Sequence, residues 1–335
     1  MQILSYQSLL NDIKSAIRKA QTRAILAVNT EMILLYWETG KMIADRQIQE
    51  GWSSKVIPRL ANDLKNEFAD LKGYSERNLG RMLAFHKEYP DKTILPQLVA
   101  KLPWGHNILL MEKEKDINIR LWYAQQCMDN QWSRDTLATQ LKNKLYDRQG
   151  KAVSNFKNTL PQQISDLAQQ TLKDPYIFDF LTLDTEYVEK DIENQLVQHV
   201  SKFLLELGKG FAFVGQQYHL KVSQSDYYLD LLFYHTRLKC YVVIELKNRK
   251  FIPEYTGKLN FYLSAVDSLV KMPDDNPTIG LLLCKEKDSI EAEFALRDIH
   301  KPIGVSEYII AKNLPEELKS NFPTIEEIEN ELKNG

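Results

Sequence analysis

The stretch Asp226–Lys250, DYYLDLLFYHTRLKCYVVIELKNRK, contains two apolar runs of strand type with charge set inside them. Asp230 interrupts Tyr228-Leu229-Asp230-Leu231-Leu232-Phe233, and Glu245 and Lys247 close Tyr241-Val242-Val243-Ile244-Glu245-Leu246-Lys247. A carboxylate buried alone is so costly that it takes up a proton, pairs with a cation or binds a metal. Two carboxylates and an amine placed this way mark a candidate catalytic site.

Strand alternation puts Glu245 and Lys247 on one face with Tyr241 and Val243, and Asp230 on a face with Tyr228 and Leu232. A hairpin symmetric about Arg237-Leu238 sets Asp230 directly opposite Glu245, with Cβ atoms about 4.5–5.5 Å apart. The loop lacks the Asn-Gly or Gly of a two-residue turn, so a one-residue slip or a bulge is the competing register. Like charges this close call for a positive partner, and a hard divalent cation such as Mg²⁺, with Mn²⁺ as substitute, suits two carboxylates, water and phosphate oxygens. Lys247 reaches the same space as a point charge able to serve an attacking water and a phosphate. This is the hardware of metal-assisted phosphodiester hydrolysis; the bland alternative is a cross-strand ion pair at a sheet end. The tripeptide Glu-Leu-Lys alone says little, since it occurs at 245–247, 317–319 and 331–333. Only the first follows a β-branched strand and faces a partner strand that carries a carboxylate.

The chain has 335 residues, 44% hydrophobic and 26% charged, which allows two or three domains of ordinary composition. No run of about 18 apolar residues marks a membrane helix. The first residues, MQILSYQSLLNDIK, lack a basic region followed by an apolar stretch, and Cys127, Cys240 and Cys284 form no zinc pattern. Cytoplasmic location is the expectation. Residues 1–150 hold 22 Lys+Arg against 17 Asp+Glu, a net +5, and the remainder 21 against 28, a net −7. A basic front half can approach nucleic acid and an acidic back half can hold metal; a solvated surface without a partner looks much the same.

Taken in order, Ser5 to about Arg46 carries apolar residues at helical spacing (Leu9, Ile13, Ile17, Ile25, Ile33, Tyr36, Ile43), which reads as core or a helix–helix seam. Ser54 is placed to cap a helix to about Phe68, a turn at 69–74 contains Gly73, and Ser75 caps a helix ending before Pro90. That pattern matches a helix-turn-helix, whose second helix would present Arg77, Asn78 and Arg81 to DNA; any helical hairpin with a wet face shares it. Trp104, Trp122 and Trp132 are expected as anchors of this helical domain, His106 as structural, and Ser133 as a cap. The domain reading is 1–150 helical, binding DNA or assembling into a homo-oligomer; 151–175 linker and short helix; 176–315 the catalytic domain; and 316–335 an acidic tail. Within the third segment the expected order is helix 186–207, strands 211–222, 226–234 and 239–247, helix 254–270, strand 278–284, helix 287–298 and strand 304–311.

The set formed by Asp230, Glu245 and Lys247 resembles the PD-(D/E)xK nuclease superfamily. More closely, residues 188–220 (VEKDIENQLVQHVSKFLLELGKGFAFVGQQYHL), 227–267 (YYLDLLFYHTRLKCYVVIELKNRKFIPEYTGKLNFYLSAVD) and 279–288 (IGLLLCKEKD) resemble the YhcG-like family of nucleases. Residues 29–43 (NTEMILLYWETGKMI) and 73–90 (GYSERNLGRMLAFHKEYP) are similar to that family's N-terminal domain, so the resemblance spans nearly the whole chain. It implies an α+β fold: an all-α N-terminal domain, then a restriction-endonuclease-like α/β domain with a mixed central sheet. It also implies DNase activity. Position by position, Asp230 matches the metal-binding Asp and Glu245 and Lys247 match the (D/E)xK pair. Glu193 matches an acidic residue near the metal, with Glu189 one turn earlier as its rival. No proline precedes Asp230, which departs from the superfamily's name. The expectation is a Mg²⁺-dependent DNA endonuclease in which Asp230, Glu245 and the Leu246 carbonyl ligate metal, assisted by Glu193. Gln217 or His219 would line the site, and Lys258 and Tyr262 would meet phosphate. The rival is a DNA-binding or assembly protein with an inactive nuclease scaffold; a small-molecule hydrolase lacks its phosphate loop or nucleophile elbow.

Overall fold

Apolar residues at helical spacing alone build the first half of the chain, whereas the second half interleaves β-branched strands with helices. The computed structural model describes residues 2–50, 56–68, 72–90, 98–183 and 187–310. The chain divides into two units, Met1–Tyr146 and Asp147–Gly335. The expected cap Ser54, part of the 69–74 turn, the acidic tail and the second and third Glu-Leu-Lys lie outside the described residues.

The first unit contains α1 (Gln2–Glu50), α2 (Val56–Glu67), α3 (Glu76–Glu88), α4 (Trp104–Lys113), α5 (Ile117–Asn130) and α6 (Arg134–Lys142), and a single turn, α7 (Leu145–Arg148), crosses the boundary. Ile33 and Trp37 of α1 pack with Phe85, Tyr89, Val99, Ile108 and Met111, and the Trp37 indole donates to the Tyr89 carbonyl at 2.7 Å. At Gly40 a Cβ would stand 2.0 Å from the Met82 carbonyl oxygen, so α1 and α3 touch there only because the side chain is absent. The apolar stripe behaves differently along α1. Its C-terminal part is core, but Tyr6, Leu9, Ile13 and Ile17 are exposed within the unit. Ser75, Asp116 and Ser133 accept backbone N–H groups at the starts of α3, α5 and α6, as their side-chain chemistry predicts. His106 is structural, its Nε2 lying 3.0 Å from the Trp132 carbonyl.

The second unit runs β1 (Val153–Ser154), α8 (Phe156–Thr159), α9 (Gln162–Thr171), β2 (Tyr176–Phe178), α10 (Glu189–Gln198), α11 (Val200–Leu207), β3 (Phe211–Val222), β4 (Ser225–His235), β5 (Cys240–Lys250), α12 (Glu254–Leu269), β6 (Ile279–Glu286), α13 (Ser289–Leu296) and β7 (Ile303–Ile310). The helix expected over 186–207 is thus two, divided at His199. The sheet order is β1-β7-β6-β5-β4-β3, with β2 added to β7. β3, β4 and β5 are antiparallel; β5, β6 and β7 are parallel. It is the mixed sheet expected, with β5 and β6 central and apolar on both faces. One face packs Leu231, Phe233, Val242 and Ile244 against Phe203 and Leu207 of α11. The other packs Leu232, Val243 and Leu282 against Leu259, Leu263 and Val266 of α12.

The stretch 151–175, expected as a linker and short helix, contains that helix as α9, but its remainder is part of this packed unit and not a linker. Its polar composition misled because its polar groups are used internally. Val153 pairs with Val305, Phe156 is fully buried, and Asn155 ties the start of β7 in place. The Asn155 amide donates to the carbonyls of Ile299 (2.9 Å) and Lys301 (3.0 Å), and its oxygen accepts from Ile303 N–H at 2.8 Å. Removing it strands three backbone groups, each worth about 1 kcal/mol or more. Asn155→Ala is therefore expected to destabilise the second unit by about 2–3 kcal/mol, read as a lowered urea midpoint with unchanged slope.

Candidate active site

Glu245 owes its position to β5, which is flanked on both sides and covered on both faces; it is 1% exposed. The β4–β5 ladder runs from His235–Cys240 to Leu231–Ile244, the symmetric register, which brings Asp230 next across from Glu245. Here the strands part, and the Leu246 N–H turns to Asp230 Oδ2 at 2.9 Å. One detail of the expectation fails. Leu229 and Leu232 share one core and Leu231 lies in the other, so the period of two breaks at Asp230, and Tyr228 does not share a face with Leu232. The cause lies opposite on β3. Gln217 has φ 45°, a left-handed backbone in mid-strand that costs about 1–3 kcal/mol and turns both strands locally.

Around these carboxylates stand two amines. Glu245 Oε2 accepts from Lys258 of α12 at 3.1 Å and lies 3.6 Å from the Lys247 ammonium. Lys247 also pairs with Glu189 at 3.3 Å and donates to the Leu246 carbonyl at 2.7 Å. Glu189 Oε1 in addition accepts the Asn248 N–H at 3.2 Å, so the N-terminus of α10 is clamped to the end of β5. Glu193, one turn along α10, is 3% exposed and accepts from Gln217 at 2.8 Å. The two rivals for the α10 position are both present, with different partners: Glu189 holds Lys247, and Glu193 accepts from Gln217 and feels the Asp230 charge. Lys258 also lies 5.0 Å from the Tyr262 ring centre.

Burial pushes the Glu245 carboxyl up to about 7, with the Asp230 charge acting in the same direction and the two lysines only partly offsetting it. Burial likewise raises Asp230, against the hydrogen bond from Leu246, and Glu193, against that from Gln217. Burial alone would lower Lys247, but the charges of Glu245, Asp230 and Glu189 outweigh it and hold the ammonium above its usual range. Two buried oxygens, Glu245 Oε1 and Glu193 Oε1, have no hydrogen-bond partner. Buried polar atoms are rarely left so, and an ion is one standard reason. Among the described residues no three carboxylate, imidazole or thiol groups are gathered as a ready-made ion cage. The donor set is two or three hard carboxylates, which fits Mg²⁺ or Mn²⁺ and not a soft metal.

Some expected site residues are elsewhere or engaged. The Leu246 carbonyl, read as a ligand, accepts from the Lys247 ammonium at 2.7 Å and keeps a second lone pair. His219 pairs with Asp226 at 2.6 Å on an exposed face, apart from the carboxylates. In the first unit Arg77 is exposed, but Asn78 donates to the Gly73 carbonyl at 2.5 Å and accepts the Trp104 indole at 2.7 Å. Arg81 is paired with Glu112 at 2.7 Å. Asn78 therefore helps to build the turn, where Gly73 has φ 109°. Reading one face of a helix from spacing missed this because the turn's own hydrogen bonds were invisible. Asn248, whose amide donates to the Tyr187 carbonyl at 2.7 Å, had no signal beyond following Lys247.

Residues 169–323 match the model of the YhcG PDDEXK nuclease domain, and residues 12–148 that of the DUF1016 N-terminal domain. Across 96% of its length the chain is 31% identical to a protein of Escherichia coli (strain K12) named "Putative nuclease YhcG", 96% of which is covered. Two solved structures also align, each at 15% identity over 38% of this chain and 48% of theirs. They are a repair endonuclease from Pyrococcus abyssi (TM-score 0.26) and an EndoMS–dsDNA complex (TM-score 0.27).

Proposed function

The chain belongs to the YhcG family of PDDEXK nucleases, and on that premise we propose that it hydrolyses phosphodiester bonds of DNA with the help of a divalent cation. Asp230 and Glu245 hold the cation and Glu193 assists; Mg²⁺ is the natural occupant and Mn²⁺ a substitute. The observation that carries this reading is the pair of buried, unpartnered oxygens, Glu245 Oε1 and Glu193 Oε1, on two carboxylates that both feel the Asp230 charge. When bound, the cation supplies Lewis-acid polarisation of the phosphate and makes water a better nucleophile.

The chain's own groups do the rest. Glu189 fixes the Lys247 ammonium beside the Glu245 carboxylate, where its charge orients a water and offsets negative charge growing on the phosphate. Lys258, half exposed at the rim, contributes a second positive charge toward a phosphate oxygen. Water adds to phosphorus, one P–O ester bond breaks, and the two products carry a phosphate monoester and a hydroxyl. Among the described residues no helix is long and apolar enough to cross a membrane.

The test is a panel of labelled duplex, branched and single-stranded DNA and of RNA, incubated with the full chain and Mg²⁺ or Mn²⁺. Cleavage of DNA that stops on adding EDTA is expected. No cleavage of any substrate, with metal-independent DNA binding, would favour the inactive scaffold.

A further inference from the structure

Two consecutive residues of β3 reach two consecutive residues of α10. The Gln216 amide donates to Asn194 Oδ1 at 2.8 Å, and the Gln217 amide donates to Glu193 Oε2 at 2.8 Å. Regular strands send neighbouring side chains to opposite faces, so a straight β3 allows only one of these contacts. The other exists because Gln217 has φ 45°. The ladder keeps its register from Gln216–Leu231 to Tyr218–Leu229, so no residue has been inserted at Gln217; the register shift of these two strands lies earlier, between Phe213 and Gly215. A residue with a Cβ enters the left-handed region at a cost, and glycine would have served if only the bend mattered.

We infer that Gln217 is a positioning residue for the cation site: its amide occupies Glu193 Oε2 and leaves the other oxygen, buried and unpartnered, as the donor presented beside Asp230. This rests on the proposed reading that the site binds a divalent cation. Glu193 itself is 97% shielded, so it has few other ways to be held, and a carboxylate free to rotate would meet the cation with either oxygen or neither. Supporting partners of ligating carboxylates commonly govern metal affinity by about 10–100-fold.

The experiment uses the full-length chain and Mn²⁺ alone, by titration calorimetry. Gln217→Gly accepts the left-handed backbone and loses the amide; Gln217→Met keeps the side chain's bulk and loses the donor. Both are expected to fold, to bind Mn²⁺ at least about tenfold more weakly than wild type, and to regain most of their cleavage rate when Mn²⁺ is raised. If Gln217→Gly binds Mn²⁺ as wild type does, the amide has no such role and the inference is overturned. If Glu193→Gln binds Mn²⁺ as wild type does, the inference falls while Asp230 and Glu245 stand. A wild-type chain that binds no Mn²⁺ overturns both the inference and the reading beneath it.

Discussion

Asp230→Asn is expected to cripple cation-dependent DNA cleavage, lowering the rate by about 10²–10³-fold, with the fold intact. The substitution keeps an oxygen to accept the Leu246 N–H, so no backbone donor is stranded. It removes one of the charges that burial disfavours, so the metal-free protein does not lose stability from the change. What disappears is an anionic ligand. Losing one preorganised electrostatic contact costs about 2.7–4 kcal/mol in the transition state, and each 1.36 kcal/mol is tenfold in rate. Lys247→Ala should cause a loss of the same order for a different reason. It removes the ammonium fixed by Glu189 and leaves Glu245 with Lys258 alone. Initial rates at saturating Mg²⁺, with circular dichroism for folding, check both. Cleavage that survives in both variants would move the active site elsewhere.

The second large effect concerns stability. Glu245 is raised to about 7 in the fold, against 4.5 for an unperturbed group, so the native state holds its proton more tightly than the unfolded chain. Stability is then greatest below about pH 4.5, falls as pH rises toward 7, and levels off above it; the integrated loss from this group is about 3 kcal/mol. Asp230 and Glu193, also raised, steepen the same slope. Glu245→Gln removes the titrating group. Urea denaturation without metal should therefore show the variant gaining about 3 kcal/mol on wild type between pH 4.5 and pH 8. Adding Mg²⁺ at a hundred times its Kd should stabilise wild type by about 2.7 kcal/mol and leave the variant, which has lost the site, unchanged, so that most of the difference at pH 8 disappears.

The hairpin was legible because β-branched runs and symmetric closure leave few registers, and burial in a central sheet punishes a slip that would turn apolar side chains outward. The charges within it were legible for the converse reason, since an acid in an apolar strand must have a partner. What stayed hidden were features without a composition. Gln217 looks like any polar strand residue, and nothing in its neighbours announces a left-handed backbone or the broken alternation at Asp230. Asn155 and Asn78 read as linker and recognition residues because partners they satisfy, the Ile303 N–H and the Trp104 indole, lie 148 and 26 positions away. The roles of Glu189 and Glu193 could not be separated from spacing alone. One helical turn puts both on the same face, and only the middle of β3 and the far part of β5 decide that one meets Gln217 and the other Lys247.

The carboxylate pair is tested most directly by titrating Mn²⁺ into the metal-free full-length chain at pH 8, where Glu245 is ionised. Wild type should bind the ion with measurable heat, and Asp230→Asn and Glu245→Gln should each bind at least about a hundredfold more weakly. Equal Mn²⁺ affinity in all three proteins would contradict a cation site at Asp230 and Glu245.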